Sequence, residues 1–306
     1  MPEPAISRTA LVTSMMRDIH ARFDPAPLIE DRWGERLVPA DQWADLRAFL
    51  LRSLKTDAAG FDSPDAALGR AFLRNPSYAG TVMRARYTED ALRAAVARGV
   101  RQYVILGAGL DSFGLRRPEY AAGVQVIEID HPATQAFKRE RLNACGVEPP
   151  PSLAFVGADL GRESLGDVLA RAPYRADAPA FFAWLGVTMY LTREANMATF
   201  AAIGAQSAAG SELVFSYTLA SEIDPTRRTS VSGSVQAGVQ ALGEPWICGF
   251  EPAALAADLR PLGLSIVEDL DGEQLTERYC AQRQPRLRAF VTNHYARAEV
   301  AAAQVR

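Results

Sequence analysis

Cysteine is scarce in this chain: Cys145, Cys248 and Cys280 are the only three among 306 residues. They stand far apart, without the paired spacing of a zinc site, and an odd number cannot close into a full disulfide set. They read as reduced, structural residues, and no metal site is expected. Long apolar runs are missing too. No stretch approaches the roughly 20 consecutive apolar residues a membrane helix needs, and the opening MPEPAISRTALVTSMMRDIHARF is broken by Glu3, Arg8 and Asp18. The expected compartment is cytoplasmic, with no membrane partner. The third absence is a basic stripe. Lys and Arg number 33 against 36 Asp and Glu, a net charge of −3, and the densest basic stretches, Leu115-Arg116-Arg117 and Thr226-Arg227-Arg228, are two-residue pairs. A protein that neutralises phosphates gathers more positive charge than this, so nucleic acid is disfavoured as a partner. What remains, 48% hydrophobic and 23% charged, is an ordinary globular composition that excludes disorder, collagen and coiled coil as whole-chain readings.

The first 99 residues carry helical periodicity and no strand pattern. In DQWADLRAFLLRSLKTD, Trp43, Leu46, Phe49, Leu50 and Leu54 give one apolar face for docking on something larger. Ser63-Pro64-Asp65 supplies an N-cap, a first-turn proline and an acid at the positive helix end. Asn75-Pro76 interrupts that helix, and TVMRARYTEDALRAAVARG resumes until Gly99. From residue 100 to 306 short apolar runs alternate with helices: VRQYVIL, GVQVIEI, SLAFVG, AFFAWLG, ELVFSYT, LSIVEDL and LRAFVTN are seven candidate strands. Helices read as Pro132 to Asn143, Arg193 to Ser207 and Pro252 to Arg260 lie between them. Strand-helix alternation with continuous apolar strands predicts a doubly wound α/β fold, a mainly parallel sheet covered on both faces. A Ser/Gly/Thr-rich insertion, residues 221–243, is expected to be loop or irregular helix near a site.

Ligands of doubly wound sheets bind beyond the carboxyl ends of the strands, against a glycine turn after the first one. That turn is Gly107-Ala108-Gly109-Leu110-Asp111, and Asp130, 21 residues after Gly109, ends the next apolar run, where an acid accepts both hydroxyls of a ribose. The pair implies a nucleoside ligand. A dinucleotide fits poorly. Ser112 stands where its fingerprint wants a third small glycine-like residue, Asp111 sets a carboxylate beside the pyrophosphate position, and Gly114 and Pro118 leave little room for a long helix whose dipole would hold phosphate. A cationic tail tolerates an acidic turn, and S-adenosylmethionine combines adenosine for Asp130 with a sulfonium and an ammonium.

Asp159 and Leu160 follow the third apolar run, placed to hydrogen-bond and pack on adenine; the plainer reading of Asp159 is an N-cap for a helix starting near Ser164. Arg84 and Arg86 can each pair a carboxylate bidentately, or serve as surface salt bridges. His131 reads as a turn residue before Pro132, and His20 and His294 lie outside the motif blocks. Tyr190 and Tyr217 are candidates for the pocket or for core packing.

VRQYVILGAGLDSFGLRRP, VIEIDHPATQAFKRERL, FVGADL, FFAWLGVTMYLT and GEPWICGFEPAALAADLRPLGL together resemble the bacterial S-adenosylmethionine-dependent methyltransferases related to leucine carboxyl methyltransferase, over about Thr9 to Arg288. The resemblance implies a class I methyltransferase (Rossmann-like) sheet of seven strands, the last inserted antiparallel, with a helical N-terminal cap over the substrate pocket. It implies that Arg84 holds the cofactor carboxylate, Gly107 and Gly109 form the cofactor turn, Asp130 takes the ribose, and Asp159 with Leu160 the adenine. Where relatives often have a glutamate after the fourth strand, this chain has Trp184 and Leu185. The expected activity is O-methylation of a carboxylate or hydroxyl on a small metabolite, an acid or hydroxyl compound of secondary metabolism. Methylation of a protein carboxyl terminus and a nicotinamide-dependent oxidoreductase are the alternatives. No catalytic base stands out in the strand-end motifs.

Overall fold

The computed structural model describes residues 7–224, 226 and 243–301. Most of the 221–243 insertion, with Arg227 and Arg228, therefore lies outside the described residues. Five helices precede the first strand: α1 (Arg8–Phe23), α2 (Gly34–Leu37), α3 (Ala40–Ser53), α4 (Pro64–Phe72) and α5 (Pro76–Ala97). Side chains that satisfy first-turn N–H groups set several of their starts. Ser7 Oγ accepts from Ala10 N, Ser63 Oγ from Ala66 N, and Asn75 Oδ1 from Tyr78 N. Proline follows Ser63 and Asn75 at a position where its missing N–H leaves no bond unmade.

Strands β1 (Gln102–Leu106), β2 (Gln125–Asp130), β3 (Leu153–Gly157), β4 (Phe181–Trp184), β5 (Glu212–Thr218), β6 (Leu264–Asp271) and β7 (Asn293–Val300) form one sheet in the order β3-β2-β1-β4-β5-β7-β6. The first five pair in parallel, and β7 enters antiparallel between β5 and β6. This is the doubly wound seven-stranded arrangement that the alternation predicts. Strand order reverses at β1, so the crevice beyond its carboxyl end is the natural ligand position. Helices α6 (Phe113–Arg116), α7 (Pro132–Ala144), α8 (Leu165–Ala170) and α9 (Arg193–Gln206) follow β1, β2, β3 and β4 in turn.

Side chains alternate across the sheet. Tyr103 and Ile105 of β1 join one hydrophobic cluster, Val104 and Leu106 the other. The first also takes in Leu11, Met15, Trp43, Phe72 and Val82, so the N-terminal helices cover one face of the sheet and share its core. Phe200 and Ile203 of α9 and Leu255 and Leu259 of the helix Pro252–Leu259 cover the second face.

The seventh strand is not where the apolar pattern put it. Leu287 to Thr292 is loop, docked on the helix Gly272–Cys280 by a bond from Ala289 N to Thr276 Oγ1 at 3.1 Å. The strand begins at Asn293, and its sequence NHYARAEV has little apolar weight. Its polar members are matched across the ladder instead: Arg297 meets Glu212 of β5 at 3.0 Å, and His294 meets Asp269 of β6 at 3.0 Å.

Gly204 offers a test of this packing. Helix propensity alone favours alanine at an interior helical position by about 1 kcal/mol. A Cβ on Gly204, however, would stand 1.9 Å from the Leu262 carbonyl oxygen, and backbone must move to admit it. Gly204→Ala is expected to lower the urea midpoint; a raised midpoint would show that the contact between α9 and the Arg260–Leu262 turn yields freely.

Candidate functional site

A cavity of about 580 Å³ opens beyond the carboxyl ends of β1, β2 and β4. Its base is the glycine turn. Gly107 and Gly109 adopt φ of +65° and +52°, the left-handed region in which glycine carries no penalty. Space matters as much as conformation: a Cβ on Gly107 would lie 2.3 Å from Val187 Cγ2, and one on Gly109 3.1 Å from Ala10 Cβ. The turn is tied to β2, since Gly107 N donates to Ile129 O at 2.8 Å and Gly109 N to Asp130 Oδ2 at 2.5 Å. His131 N donates to Asp130 Oδ1 at 2.6 Å. Each carboxylate oxygen thus takes one backbone N–H and retains capacity for a second donor. Burial raises the pKa of Asp130, and these two N–H groups and Lys138 oppose the rise.

Asp111 also lines the cavity, its Oδ1 accepting from Phe113 N at 2.7 Å. The helix after it, α6, has four residues and stops at Arg117, whose φ is +45°. No long helix aims its N-terminus at the cavity from this turn, so the dipole that would hold a pyrophosphate here is lacking, as the Gly114 and Pro118 positions predict.

Arg84 enters from α5. Among the described residues its guanidinium has no hydrogen-bond or ion-pair partner, and burial lowers its pKa against the influence of Tyr295 and Tyr190. Gly186, in the turn after β4 with φ +69°, leaves room for it: a Cβ there would be 2.7 Å from Arg84 Nη1. A half-buried cation facing a cavity, with no counter-charge among the described residues, is built for an anionic ligand group. Arg86 faces elsewhere, paired with Asp90 at 3.0 Å and donating to Leu28 O at 3.1 Å.

The opposite wall comes from α1, where Ala10, Thr13 and Arg17 fall on one helical face. Arg17 Nη2 donates to Leu110 O at 2.7 Å and its Nε to Asp31 Oδ2 at 2.8 Å, fastening the helix to the glycine turn. Arg17 and Arg116 hold the Asp31 carboxyl below the usual range, although burial pushes it up. Tyr190, Glu244, Pro245 and Ile247 border the cavity beside them. Burial raises the phenol pKa of Tyr190 and of Tyr103, so neither is a base near neutrality.

The remaining expectations separate cleanly. His131 Nδ1 accepts from Ala133 N at 3.3 Å and caps α7, the turn role read for it. Tyr217 lies in the core with its hydroxyl on Asp269 at 2.5 Å, not in the cavity. Asp159 and Leu160 stand past the end of β3 and are not among the residues that line the cavity. Register puts Gly157 beside Asp130, and Ala158 N donates to Asp130 O at 2.8 Å, so Asp159 is close by along the chain. Its Oδ1 accepts from Gly161 N at 3.0 Å, a turn bond, while Ser164 is the N-cap of α8. Trp184 is fully buried in the core, and Leu185 borders the cavity. Sequence reasoning did not find Arg17, Gly186, Glu244 or the buried Lys138. Only Ala10-Thr13-Arg17 left a trace, in its helical spacing. Among the described residues no three His, Cys, Asp or Glu side chains gather as a metal site, and no helix is long and apolar enough to cross a membrane.

Comparison with known proteins agrees with this geometry. The family model for leucine carboxyl methyltransferase matches residues 10–204. YktD of Bacillus subtilis (strain 168), provisionally named an S-adenosyl-L-methionine-dependent methyltransferase, is 30% identical over 298 residues, covering 94% of this chain and 96% of its own length. A relative of the same provisional name from Mycolicibacterium gilvum (strain PYR-GCK) is 36% identical over 215 residues, 70% of this chain and 66% of its own. Among solved structures, a DUF574 family protein from Streptomyces avermitilis MA-4680 superposes with a TM-score of 0.55 at 16% identity, covering 84% of this chain and 96% of that one. At that identity the likeness shows the fold.

The glycine turn makes its own prediction. Gly107→Ala should cost about 1–2 kcal/mol from the left-handed backbone alone, with the Val187 contact added. Val187→Ala in the same chain should recover part of the loss, a coupling read from a double-mutant cycle of thermal or urea unfolding. Strictly additive effects would mean that Val187 does not press on the turn.

Proposed function

The chain belongs to the leucine carboxyl methyltransferase family and is an S-adenosyl-L-methionine-dependent methyltransferase, and from that premise we propose that it methylates a carboxylate oxygen of a small organic acid. The observation that carries the cofactor assignment is the pairing, in one cavity, of a half-buried guanidinium at Arg84, unpartnered among the described residues, with the half-committed carboxylate of Asp130. Arg84 would take the methionine carboxylate, Asp130 the ribose hydroxyls, and Gly107 and Gly109 leave the cofactor room against the backbone. Asp159 and Leu160 remain assigned to the adenine edge, supported by the register of β3 with β2; Asp159 Oδ2, now 3.4 Å from Arg162, is the oxygen left for the adenine amino group.

When bound, S-adenosyl-L-methionine supplies a methyl carbon already activated by a sulfonium leaving group, so the protein's share is alignment and water exclusion. The α1 wall and the turn after β4 do this by enclosing the cavity. A carboxylate acceptor is ionised at neutral pH and needs no base. That suits a cavity in which Asp111 and Asp130 accept backbone N–H groups, His131 caps a helix, and burial keeps Tyr103 and Tyr190 protonated. One observation favours a hydroxyl acceptor as the second reading: Glu244, a carboxylate residue bordering the cavity, has no hydrogen bond or ion pair among the described residues. A protein carboxyl terminus is the same chemistry on a larger acceptor. The acidic turn and short α6 speak against a nicotinamide dinucleotide.

Incubation with methyl-labelled S-adenosyl-L-methionine and pools of small acids is expected to give a base-labile product in the low-mass fraction. A base-stable product would transfer the assignment to a hydroxyl, and label in protein would transfer it to a carboxyl terminus. Glu244→Gln should leave turnover of a carboxylate within about twofold, whereas loss of a general base would slow it by about 10²-fold or more. Asp130→Ala should weaken S-adenosylhomocysteine by about 1.5–3 kcal/mol in calorimetric titration; unchanged affinity in the folded variant would remove the ribose assignment.

A further inference from the structure

We propose that Lys138 is a positioning residue for the cofactor, acting from α7 by holding the backbone of the glycine turn at the level of Asp130. The inference rests on the assignment of the ribose to Asp130. Lys138 is wholly buried, an unfavourable place for an ammonium unless every donor is used. Its Nζ donates to the carbonyl oxygen of Asp111 at 2.5 Å and forms an ion pair with Glu128 Oε2. Glu128 lies on β2 two residues before Asp130 and is itself fully buried. The ion pair accounts for how the charge is tolerated there. It does not account for why the charge is there, since apolar residues of similar volume commonly replace a buried pair without loss.

The contact with Asp111 supplies the reason. Two consecutive carbonyls of the turn are held by cations from two helices: Leu110 O by Arg17 of α1 and Asp111 O by Lys138 of α7. Between them they fix the strand-to-helix crossing whose Gly109 N–H must meet Asp130 Oδ2. Lys138 also places a fully buried ammonium among Asp111, Glu128 and Asp130, and its charge opposes the burial that raises the Asp130 carboxyl. Without it the turn can drift from the strand end, and the carboxylate loses the geometry that accepts two ribose hydroxyls.

The test separates positioning from mere charge balance. Glu128→Gln/Lys138→Met removes both charges and keeps the volume, so the core needs no counter-ion. In the intact protein this double variant is expected to melt cooperatively yet bind S-adenosylhomocysteine and adenosine about tenfold or more weakly by calorimetry, the two ligands alike because the defect sits at the ribose end. Wild-type affinity in the folded double variant would overturn the proposal. Glu128→Gln alone is the milder second test: it keeps the ammonium on Asp111 O and should bind both ligands within about threefold of wild type, whereas a loss as large as that expected of the double variant would assign the effect to the ion pair and overturn the proposal. Asp130→Ala run beside them distinguishes the two levels, since wild-type binding there would fell the ribose assignment whatever Lys138 does.

Discussion

The carboxylate of Asp130 closes the cavity's base by accepting two backbone N–H groups, one from Gly109 across the turn and one from His131, the next residue. Together with Ile129 O, which accepts from Gly107 N, that group joins the end of β2 to the loop after β1. Because β1 and β2 run parallel and in register, their carboxyl ends lie side by side, and only an acceptor at this position can satisfy the turn's N–H while leaving lone pairs for a ligand. The left-handed glycines, the short α6 and the buried Lys138 are arranged around that requirement.

The cavity's second half depends on the N-terminal helices. Arg17 spans the gap between α1 and the glycine turn, and its partner Asp31 is shared with Arg116, itself paired with Glu89 of α5 at 2.6 Å. A chain of alternating charges therefore links the wall, the turn and the helix that carries Arg84. Near the far end of α1, fully buried His20 accepts from Leu28 N through Nε2 and contacts Tyr78 at 2.6 Å through Nδ1, while Asp24 pairs with Arg283. The wall is held at both ends, which keeps α1 against the cavity.

Several pieces were legible without coordinates because their signals are local. Ser63 caps α4 as its sequence neighbours predict, since a cap is a bond between residues two or three apart. The GAG turn and the acid 21 residues later were legible because a βαβ unit has a narrow range of lengths. Other pieces hid for the converse reason. NHYARAEV did not read as a strand because its cross-ladder partners, Glu212 and Asp269, are supplied by β5 and β6. Tyr217 sits at a strand end as a pocket residue would, yet neighbouring strands turn it into the core.

The sequence by itself determined the parallel sheet, its glycine turn and the acid beside it, because strand periodicity, turn chemistry and short-range spacing are written in consecutive residues. It also carried enough ordered blocks to place the chain in its family. Only the tertiary structure decided that Arg84 stands half-buried at the cavity with no counter-ion among the described residues while Arg86, two residues on, is paired with Asp90, and that Arg17 and Lys138 converge on adjacent carbonyls. Those outcomes depend on which helix face meets which strand end across about a hundred residues of chain, and a charge's environment is fixed by neighbours in space rather than along the backbone.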